Sequence, residues 1–144
     1  MTDSPPLLVA MAGGKPRARK ESVPAPKELA LHMTVARLLR DHCLPDWEWC
    51  HIPNGEHRDI RTAAKLKAMG VRKGWPDFIF ITPYGSLMFL ELKRAGKALT
   101  DEQADFRIKC SERKIPYVVA WTIDQVLKTF DEWGCLRVRY GGGM

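Results

Sequence analysis

Residues 74–93 are Gly-Trp-Pro-Asp-Phe-Ile-Phe-Ile-Thr-Pro-Tyr-Gly-Ser-Leu-Met-Phe-Leu-Glu-Leu-Lys, and this stretch decides the fold. Two apolar runs of strand length flank a turn of proline, glycine and serine, which predicts a β-hairpin. Its charged residues stand only at the open end: Asp77 in the first run, and Glu91 and Lys93 in the second. Because side chains alternate along a strand, Glu91 and Lys93 should share a face, with Leu92 on the other.

Two registers of this hairpin are possible. If Thr82 and Leu87 close the turn, Asp77 lies across from Leu92 and diagonal to Glu91. A slip of one residue brings Asp77 opposite Glu91, with Cβ atoms roughly 5 Å apart. Only the second register gathers the acids, and it requires a small irregularity near the turn.

Two carboxylates and an ammonium at one end of a buried hairpin suggest a metal site. Burying a charge costs several kcal/mol unless the group is paired or binds a metal, and two carboxylates repel each other. A hard divalent ion accepts carboxylate oxygens, a backbone carbonyl and waters, and leaves room for a phosphate. The alternative is a hairpin whose ends merely reach solvent, with Glu91 and Lys93 as a surface pair.

The spacing Pro76-Asp77, then fourteen positions on Glu91-Leu92-Lys93, resembles the PD-(D/E)XK nuclease signature. The surrounding sequence is similar to the VRR-NUC (virus-type replication-repair nuclease) domain over roughly residues 26–132. A bare D…ExK motif occurs by chance, whereas an ordered set of blocks at compatible spacing is specific. The matching blocks are His51-Ile52-Pro53-Asn54-Gly55, residues 63–70, Gly74-Trp75-Pro76-Asp77 and Gln103.

The resemblance implies a metal-dependent endonuclease acting on DNA. Asp77, Glu91 and the carbonyl of Leu92 would bind one or two Mg²⁺ or Mn²⁺ ions. Lys93 would position the attacking water, which displaces one side of a phosphodiester in line. The family also has a glutamine near the reacting phosphate at the position of Gln103, although a capping box from Thr100 explains that residue structurally.

A first helix is predicted from Pro26 to about His42, and Glu28 opens a stripe on it that becomes apolar further along. Glu28 should therefore point toward the sheet, although a glutamate in a first turn also complements the helix dipole. The resemblance implies that Glu28 completes the metal site through water or at a second ion. The family often has glutamine four residues later, where this chain has His32, so no role is transferred to His32.

A second helix is predicted from about Asp59 to Met69, with Gly70 as its stop. Its basic stripe, defined as Arg58, Arg61 and Lys65, is continued after the helix by Arg72 and Lys73. Because this surface immediately precedes Asp77, it is the candidate for contact with DNA phosphates, although a solvated helix face would look the same. Trp75 could pack internally or stack on a base.

The remaining elements predict an α/β fold. A short strand over Trp47–Ile52 precedes the second helix, and a helix from Asp101 to about Arg113 leads into the apolar run Tyr117–Trp121, which is typical of an interior strand. Asp124 is expected to cap a last helix that ends near Trp133. This order predicts a mixed central β-sheet flanked by helices, a restriction-endonuclease-like core.

Bulk composition sets the remaining bounds. A chain of 144 residues can bury a sizeable core, and its net charge of +6 favours an anionic partner such as nucleic acid. Residues 1–24 form a proline-containing basic arm, expected to be flexible, before a nuclease domain over 25–140. With no run long enough for a membrane span and no signal peptide, a cytoplasmic protein is expected. The four cysteines are expected to be reduced and mostly buried, although His42, Cys43, Cys50 and His51 leave a metal site open.

The resemblance thus implies a structure-selective endonuclease similar to four-way junction resolvases, and we expect it to act as a homodimer. A junction offers two equivalent strands, and two-fold symmetry supplies the second metal site. A flap or nicking nuclease, a module that binds nucleic acid without cutting it, and a structural protein whose acids only cap strands remain alternatives.

Overall fold

The computed structural model describes residues 26–54 and 58–138. Four helices and four strands follow one another in the order α1, β1, α2, β2, β3, α3, β4, α4. Their bounds are α1 Pro26–His42, β1 Glu48–His51, α2 Ile60–Ala68, β2 Phe78–Ile81, β3 Leu87–Leu92, α3 Asp101–Glu112, β4 Tyr117–Ala120 and α4 Ile123–Trp133. The predicted elements are all present, with the ends of several shifted by one residue.

The strands form one mixed sheet in the order β1-β2-β3-β4. β2 pairs antiparallel with both β1 and β3, whereas β3 and β4 are parallel. Such a parallel pair needs a long crossover, which α3 supplies. The predicted α/β architecture, a mixed sheet flanked by helices, is confirmed.

The β2–β3 hairpin adopts the second of the two registers. Phe78 pairs with Leu90 and Ile81 pairs with Leu87, so the next pair beyond the ladder is Asp77 and Glu91. The required irregularity is the turn itself: the Thr82 N–H donates to the Ser86 carbonyl at 2.8 Å, leaving three loop residues. Gly85 in that loop has φ +80°, as expected for a three-residue hairpin loop with a left-handed glycine.

One face of the sheet packs against α1 and α4. Phe78 and Phe80 of β2 and Leu90 and Leu92 of β3 lie in this core, where their side chains are almost completely buried. The helices contribute apolar residues at helical spacing, among them Val35, Leu39, Val126 and Phe130. Burying a side chain of this size stabilises the fold by about 1.5–3 kcal/mol.

The opposite face packs against α3. Phe106 lies with its ring centroid 5.3 Å from Phe89 and 4.9 Å from Trp75. Glu91 follows Phe89 by two positions in β3, so it faces the same helix. The β2–β3 hairpin therefore directs Phe78, Phe80, Leu90 and Leu92 to α1 and α4, and it directs Phe89 and Glu91 to α3.

Two sequence predictions about this part of the chain were wrong. Thr122, not Asp124, is the N-cap of α4, and its hydroxyl accepts the Gln125 N–H. Within the described residues β4 pairs only with β3, so it is an edge strand and not an interior one. Its residues are apolar because helices cover both of its faces.

Other predictions have mixed outcomes. The arm over 1–24 and the ends of the proposed domain lie outside the described residues. All four cysteines are free, but only Cys110 and Cys135 are buried, and Cys50 is exposed. Among the described residues, no helix combines the length and apolar character needed to cross a membrane.

Candidate active site

Asp77 and Glu91 meet at the open end of the β2–β3 hairpin. The Asp77 Oδ2 atom accepts the backbone N–H of Leu92 at 2.7 Å, which fixes the carboxylate against the end of β3. The Leu92 side chain is fully buried on the other face, as the alternation predicted. The role of the Leu92 carbonyl as a metal ligand stays a prediction.

Glu91 is a buried carboxylate with one paired and one unpaired oxygen. Its Oε1 atom accepts a hydrogen bond from the Gln103 amide at 2.7 Å and lies 3.4 Å from the Lys93 ammonium. Its Oε2 atom has no hydrogen-bond partner among the described residues. Burial, followed by the nearby Asp77 carboxylate, raises the pKa of Glu91 to about 8, although Lys93 opposes the change. A second positive charge at this position would stabilise the ionised form.

Gln103 connects α3 to this carboxylate. The Gln103 side-chain Oε1 atom accepts the Thr100 backbone N–H at 2.9 Å. The Gln103 backbone N–H donates to the Thr100 hydroxyl, which completes the predicted capping box. Its amide nitrogen remains free to donate to Glu91. We refer to Asp77, Glu91, Lys93 and Gln103 as the hairpin-end cluster.

Two histidines lie next to Asp77. His51, at the end of β1, pairs with Phe78 in the sheet, which places it beside Asp77. Its Nδ1 atom lies 2.7 Å from the Asp77 carbonyl oxygen, which can only accept, so Nδ1 is the donor and Nε2 is the ring nitrogen left to bind a metal. The His32 Nε2 atom lies 3.6 Å from the Asp77 Oδ2 atom.

These three residues could hold a metal ion. His32, His51 and Asp77 each offer one ligand atom, and these three atoms lie within 4.8 Å of one another. Among the described residues, this is the group of His, Cys, Asp or Glu side chains that is close enough to hold a metal ion. Burial lowers the pKa of His32 below 6.5, with Asp77 opposing it, so the ring is neutral near pH 7 and can bind a cation. The grouping of His42, Cys43, Cys50 and His51 left open by the sequence does not form within the described residues.

Glu28 lies near this site without joining the hairpin-end cluster. It is half-buried one turn before His32 on α1, and its charge acts on His32. The prediction that Glu28 points inward is therefore compatible with the structure. Its role in metal binding stays a prediction.

The predicted DNA-contacting residues lie on surfaces outside the cluster. Arg58 donates to the Pro53 carbonyl, so this side chain is held by the chain itself. Arg61 and Lys65 are exposed on α2, a helix with no buried residues. Arg72 and Lys73 are exposed in the segment that leads to β2.

The backbone before Asp77 is held by close packing. Gly74 has φ +92°, and a Cβ at this position would lie 2.5 Å from the Glu102 carbonyl oxygen in the first turn of α3. Trp75 packs against Phe106, so internal packing is confirmed for it, although 37% of the residue stays exposed. Gly74 thus lets β2 approach the turn that presents Gln103.

His32 and His51 are the residues that sequence reasoning missed. The pairing of β1 with β2 was the available signal for His51, because the end of one antiparallel strand lies beside the start of the next. For His32 the signal was its position four residues after Glu28, on the same helix face.

Comparison with known proteins agrees with this fold. The family model of the VRR-NUC domain matches residues 32–122. A solved structure described as a VRR_NUC domain protein is 22% identical, with a TM-score of 0.61 over 74% of this chain and 87% of that chain. A second, described as a VRR_NUC domain, is 18% identical, with a TM-score of 0.53 over 74% of this chain and 97% of that chain. A search of curated proteins gave no match.

Proposed function

This chain belongs to the VRR-NUC family, and on that premise we propose that it is a metal-dependent endonuclease that hydrolyses DNA phosphodiesters. The family is of the nuclease type. The metal dependence, the choice of DNA and the roles of individual residues are the proposal.

The unpaired Oε2 atom of Glu91 is the observation on which the proposal rests. It is buried beside a second carboxylate and lacks a donor among the described residues. In the ionised form, a buried acceptor of this kind is costly unless something binds it. A divalent cation between Asp77 and Glu91 would satisfy this oxygen and offset the repulsion between the two groups, so the residues present fit a metal ion.

The ligands would be Asp77, Glu91 and the Leu92 carbonyl, with Glu28 acting through water or at a second ion. We add His32 and His51 as candidate ligands on the side of Asp77, because one ligand atom of each lies within 4.8 Å of an Asp77 carboxylate oxygen. Mg²⁺ prefers oxygen ligands, whereas Mn²⁺ also accepts imidazole, so the two rings favour Mn²⁺ within the proposed pair of ions. When bound, such an ion supplies a Lewis acid at the phosphate and a more acidic water.

Lys93 and Gln103 would act on the water and on Glu91, respectively. The Lys93 side chain is 12% exposed, and its ammonium lies 3.4 Å from Glu91, so it can orient a water and stabilise charge on the phosphate. The water oxygen forms a bond to phosphorus while the opposite P–O bond breaks, and the departing strand oxygen takes up a proton. Gln103 would be a positioning residue that holds the Glu91 carboxylate through its amide.

Branched DNA is the proposed substrate, with a four-way junction cut by a homodimer as the first candidate. The support is the resemblance to resolvases and the chain's positive charge of +6. A flap or nicking nuclease is the second candidate, because a groove next to the hairpin-end cluster suits an unpaired nucleotide, as argued below.

Cleavage of end-labelled junction, flap, nicked and linear DNA tests the proposal. With Mg²⁺ or Mn²⁺, cleavage should appear and should fall by about two orders of magnitude or more in Asp77→Ala, Glu91→Ala and Lys93→Ala. Asp124→Ala, an exposed acid on α4 outside the cluster, serves as the control and should cut normally. Folded cluster variants that cut at the wild-type rate, or wild-type cleavage unaffected by EDTA, would overturn the assignment.

A further inference from the structure

A groove of about 440 Å³ lies on the face of the molecule covered by α3. The turn before β2, the start of β3 and the exposed side of α3 form its walls. The lining residues are Arg72, Lys73, Trp75, Leu87, Phe89, Glu102, Asp105, Phe106, Lys109, Cys110, Arg113 and Ile115. No residue of the hairpin-end cluster lines this groove.

The groove combines an aromatic floor with a cationic rim. Trp75 presents its exposed part here, and Phe89 and Phe106 pack behind it. Four basic residues and two acidic residues line the groove, which leaves two net positive charges. The basic residues are Arg72, Lys73, Lys109 and Arg113, all of them exposed.

We propose that this groove binds one unpaired nucleotide of the DNA substrate, with the base stacked on Trp75 and the flanking phosphates on the basic rim. The proposal rests on the proposed function, since it makes the groove a substrate subsite beside the hairpin-end cluster. Single-strand-binding sites use this combination of an aromatic surface for the base and cations for the backbone. Stacking on an aromatic ring tolerates any base, so the subsite would recognise the absence of pairing and not a sequence.

Position along the chain connects the groove to the reaction. Trp75 precedes Asp77 by two residues, and Phe89 precedes Glu91 by two on the same strand face. Phe89 and Glu91 both lie in β3, where two residues span about 7 Å, so this wall of the groove ends close to the Glu91 carboxylate. A base on Trp75 would therefore lie within a few nucleotides of the phosphate at the cluster.

The size and charge of the groove favour a nucleotide over a protein. A volume of about 440 Å³ falls within the 300–1,000 Å³ range of small-ligand sites. A stable protein interface buries about 800 Å² on each partner, which calls for a larger apolar surface. The positive rim is complementary to phosphates on either side of a stacked base.

A subsite for an unpaired base would affect which DNA structures the protein binds. A base inside continuous duplex is stacked and paired, so it could enter the groove only after unpairing, at a cost of a few kcal/mol. Flaps, frayed nicks and open junction centres present unpaired bases without that cost. The groove should therefore favour such substrates over linear duplex.

The test is a binding cycle that does not depend on cleavage. The full chain with Glu91→Gln is titrated with fluorescent flap DNA, with a single abasic site moved through the unpaired positions and adjoining nucleotides. At one position, loss of the base should weaken binding about tenfold, equivalent to about 1.4 kcal/mol and within the range for base–aromatic stacking. Trp75→Leu should weaken binding of the intact flap to the same extent and remove the effect of that abasic site. Binding to blunt duplex should change little.

Matched variants separate this result from a structural effect. Trp121 is as exposed as Trp75 but does not line the groove, and its indole N–H donates to the Lys97 carbonyl. Trp121→Leu should leave the abasic-site effect unchanged. If Trp75→Leu fails to fold, Lys109→Gln should still lower the slope of log affinity against log salt by about one, whereas Lys128→Gln on α4 should not.

The outcomes distinguish the groove from the nuclease proposal. Additive losses at every abasic position, or no loss in Trp75→Leu and Lys109→Gln, would overturn the nucleotide subsite even if the wild type cuts DNA. Unchanged DNA affinity with an altered sedimentation coefficient in Trp75→Leu would also overturn it, by assigning the groove to a second copy of the chain. If Trp75→Leu removes the effect of one abasic site but the wild type cuts no DNA, the nucleotide subsite is retained and the nuclease proposal is rejected.

Discussion

Replacing Glu91 with glutamine should make the metal-free protein less sensitive to alkaline pH. Burial is the main cause that raises the pKa of Glu91 to about 8, followed by the charge of Asp77. Glutamine keeps the shape of the side chain and the acceptor for the Gln103 amide. It also replaces the unpaired Oε2 atom with an N–H₂ group that can face Asp77.

Proton linkage gives the direction in which the stability of the wild type changes with pH. The folded pKa of about 8 lies above the ordinary value of 4.5, so the folded state binds this proton more tightly than the unfolded state. The corresponding stability is complete below pH 4.5 and is lost as the pH rises through about 8. At 1.36 kcal/mol per pKa unit, the full loss of folding free energy is about 5 kcal/mol. This is an upper limit, because water that enters the site stabilises a buried charge. Glu91→Gln cannot undergo this loss.

Urea unfolding in EDTA between pH 5 and pH 9 measures the effect. The free energy of unfolding of Glu91→Gln minus that of the wild type should rise across this range by several kcal/mol and level off above pH 8. The exposed control Glu132→Gln should follow the wild type. A difference that stays flat from pH 5 to pH 9 would refute the argument that burial and Asp77 destabilise the ionised carboxylate.

The same variant separates metal binding from burial. Mn²⁺ should restore the stability of the wild type at pH 8, because a cation binds the ionised form of Glu91 and offsets its repulsion with Asp77. It should stabilise Glu91→Gln much less. Equal stabilisation of both proteins by Mn²⁺ would show that Glu91 is not a ligand.

Three further measurements test the packing, the basic stripe and the assembly. Gly74→Ala should cost at least about 1 kcal/mol more than Gly85→Ala and should reduce cleavage, because both glycines have positive φ but only Gly74 abuts Glu102; equal unfolding free energies would contradict this. Replacing Arg61 and Lys65 with glutamine should weaken binding to all DNAs alike and lower the salt slope by about two, so an unchanged slope would leave them as a solvated face. Sedimentation at micromolar concentration should give twice the chain mass of 16.4 kDa, and a monomer that cuts both junction strands would rule out the dimer.

The sequence was sufficient to predict the hairpin and its charged end because those features depend on local pattern. The alternation of β3 sets Glu91 and Lys93 on one face without reference to the rest of the chain. The register needed one more fact, the length of the loop. Thr82 and Ser86 close it, and the Thr82 hydroxyl also accepts the Tyr84 and Ser86 N–H groups, so a local capping preference selects the register that brings Asp77 opposite Glu91.

Tertiary packing explains what the sequence did not predict. His32 reaches Asp77 only because Val35 and Leu39 fix the rotation of α1 over the sheet. A periodic apolar pattern identifies the buried face of a helix, but not which strand end that face covers. The edge position of β4 was missed for a related reason, since burial under helices gives an edge strand the apolar composition of an interior one.

Gln103 shows why a structural explanation for a residue does not exclude a functional one. The capping box requires only an acceptor, and the carbonyl end of the amide supplies it to the Thr100 N–H. The amide nitrogen takes no part in the cap, and its position at the start of α3 lets it donate to the Glu91 carboxylate. Glutamate at this position would also complete the cap, but it would place a third carboxylate beside Glu91 and Asp77. The same side chain therefore completes the cap and donates to Glu91, so the structural interpretation of Gln103 leaves room for the functional one, which stays a prediction.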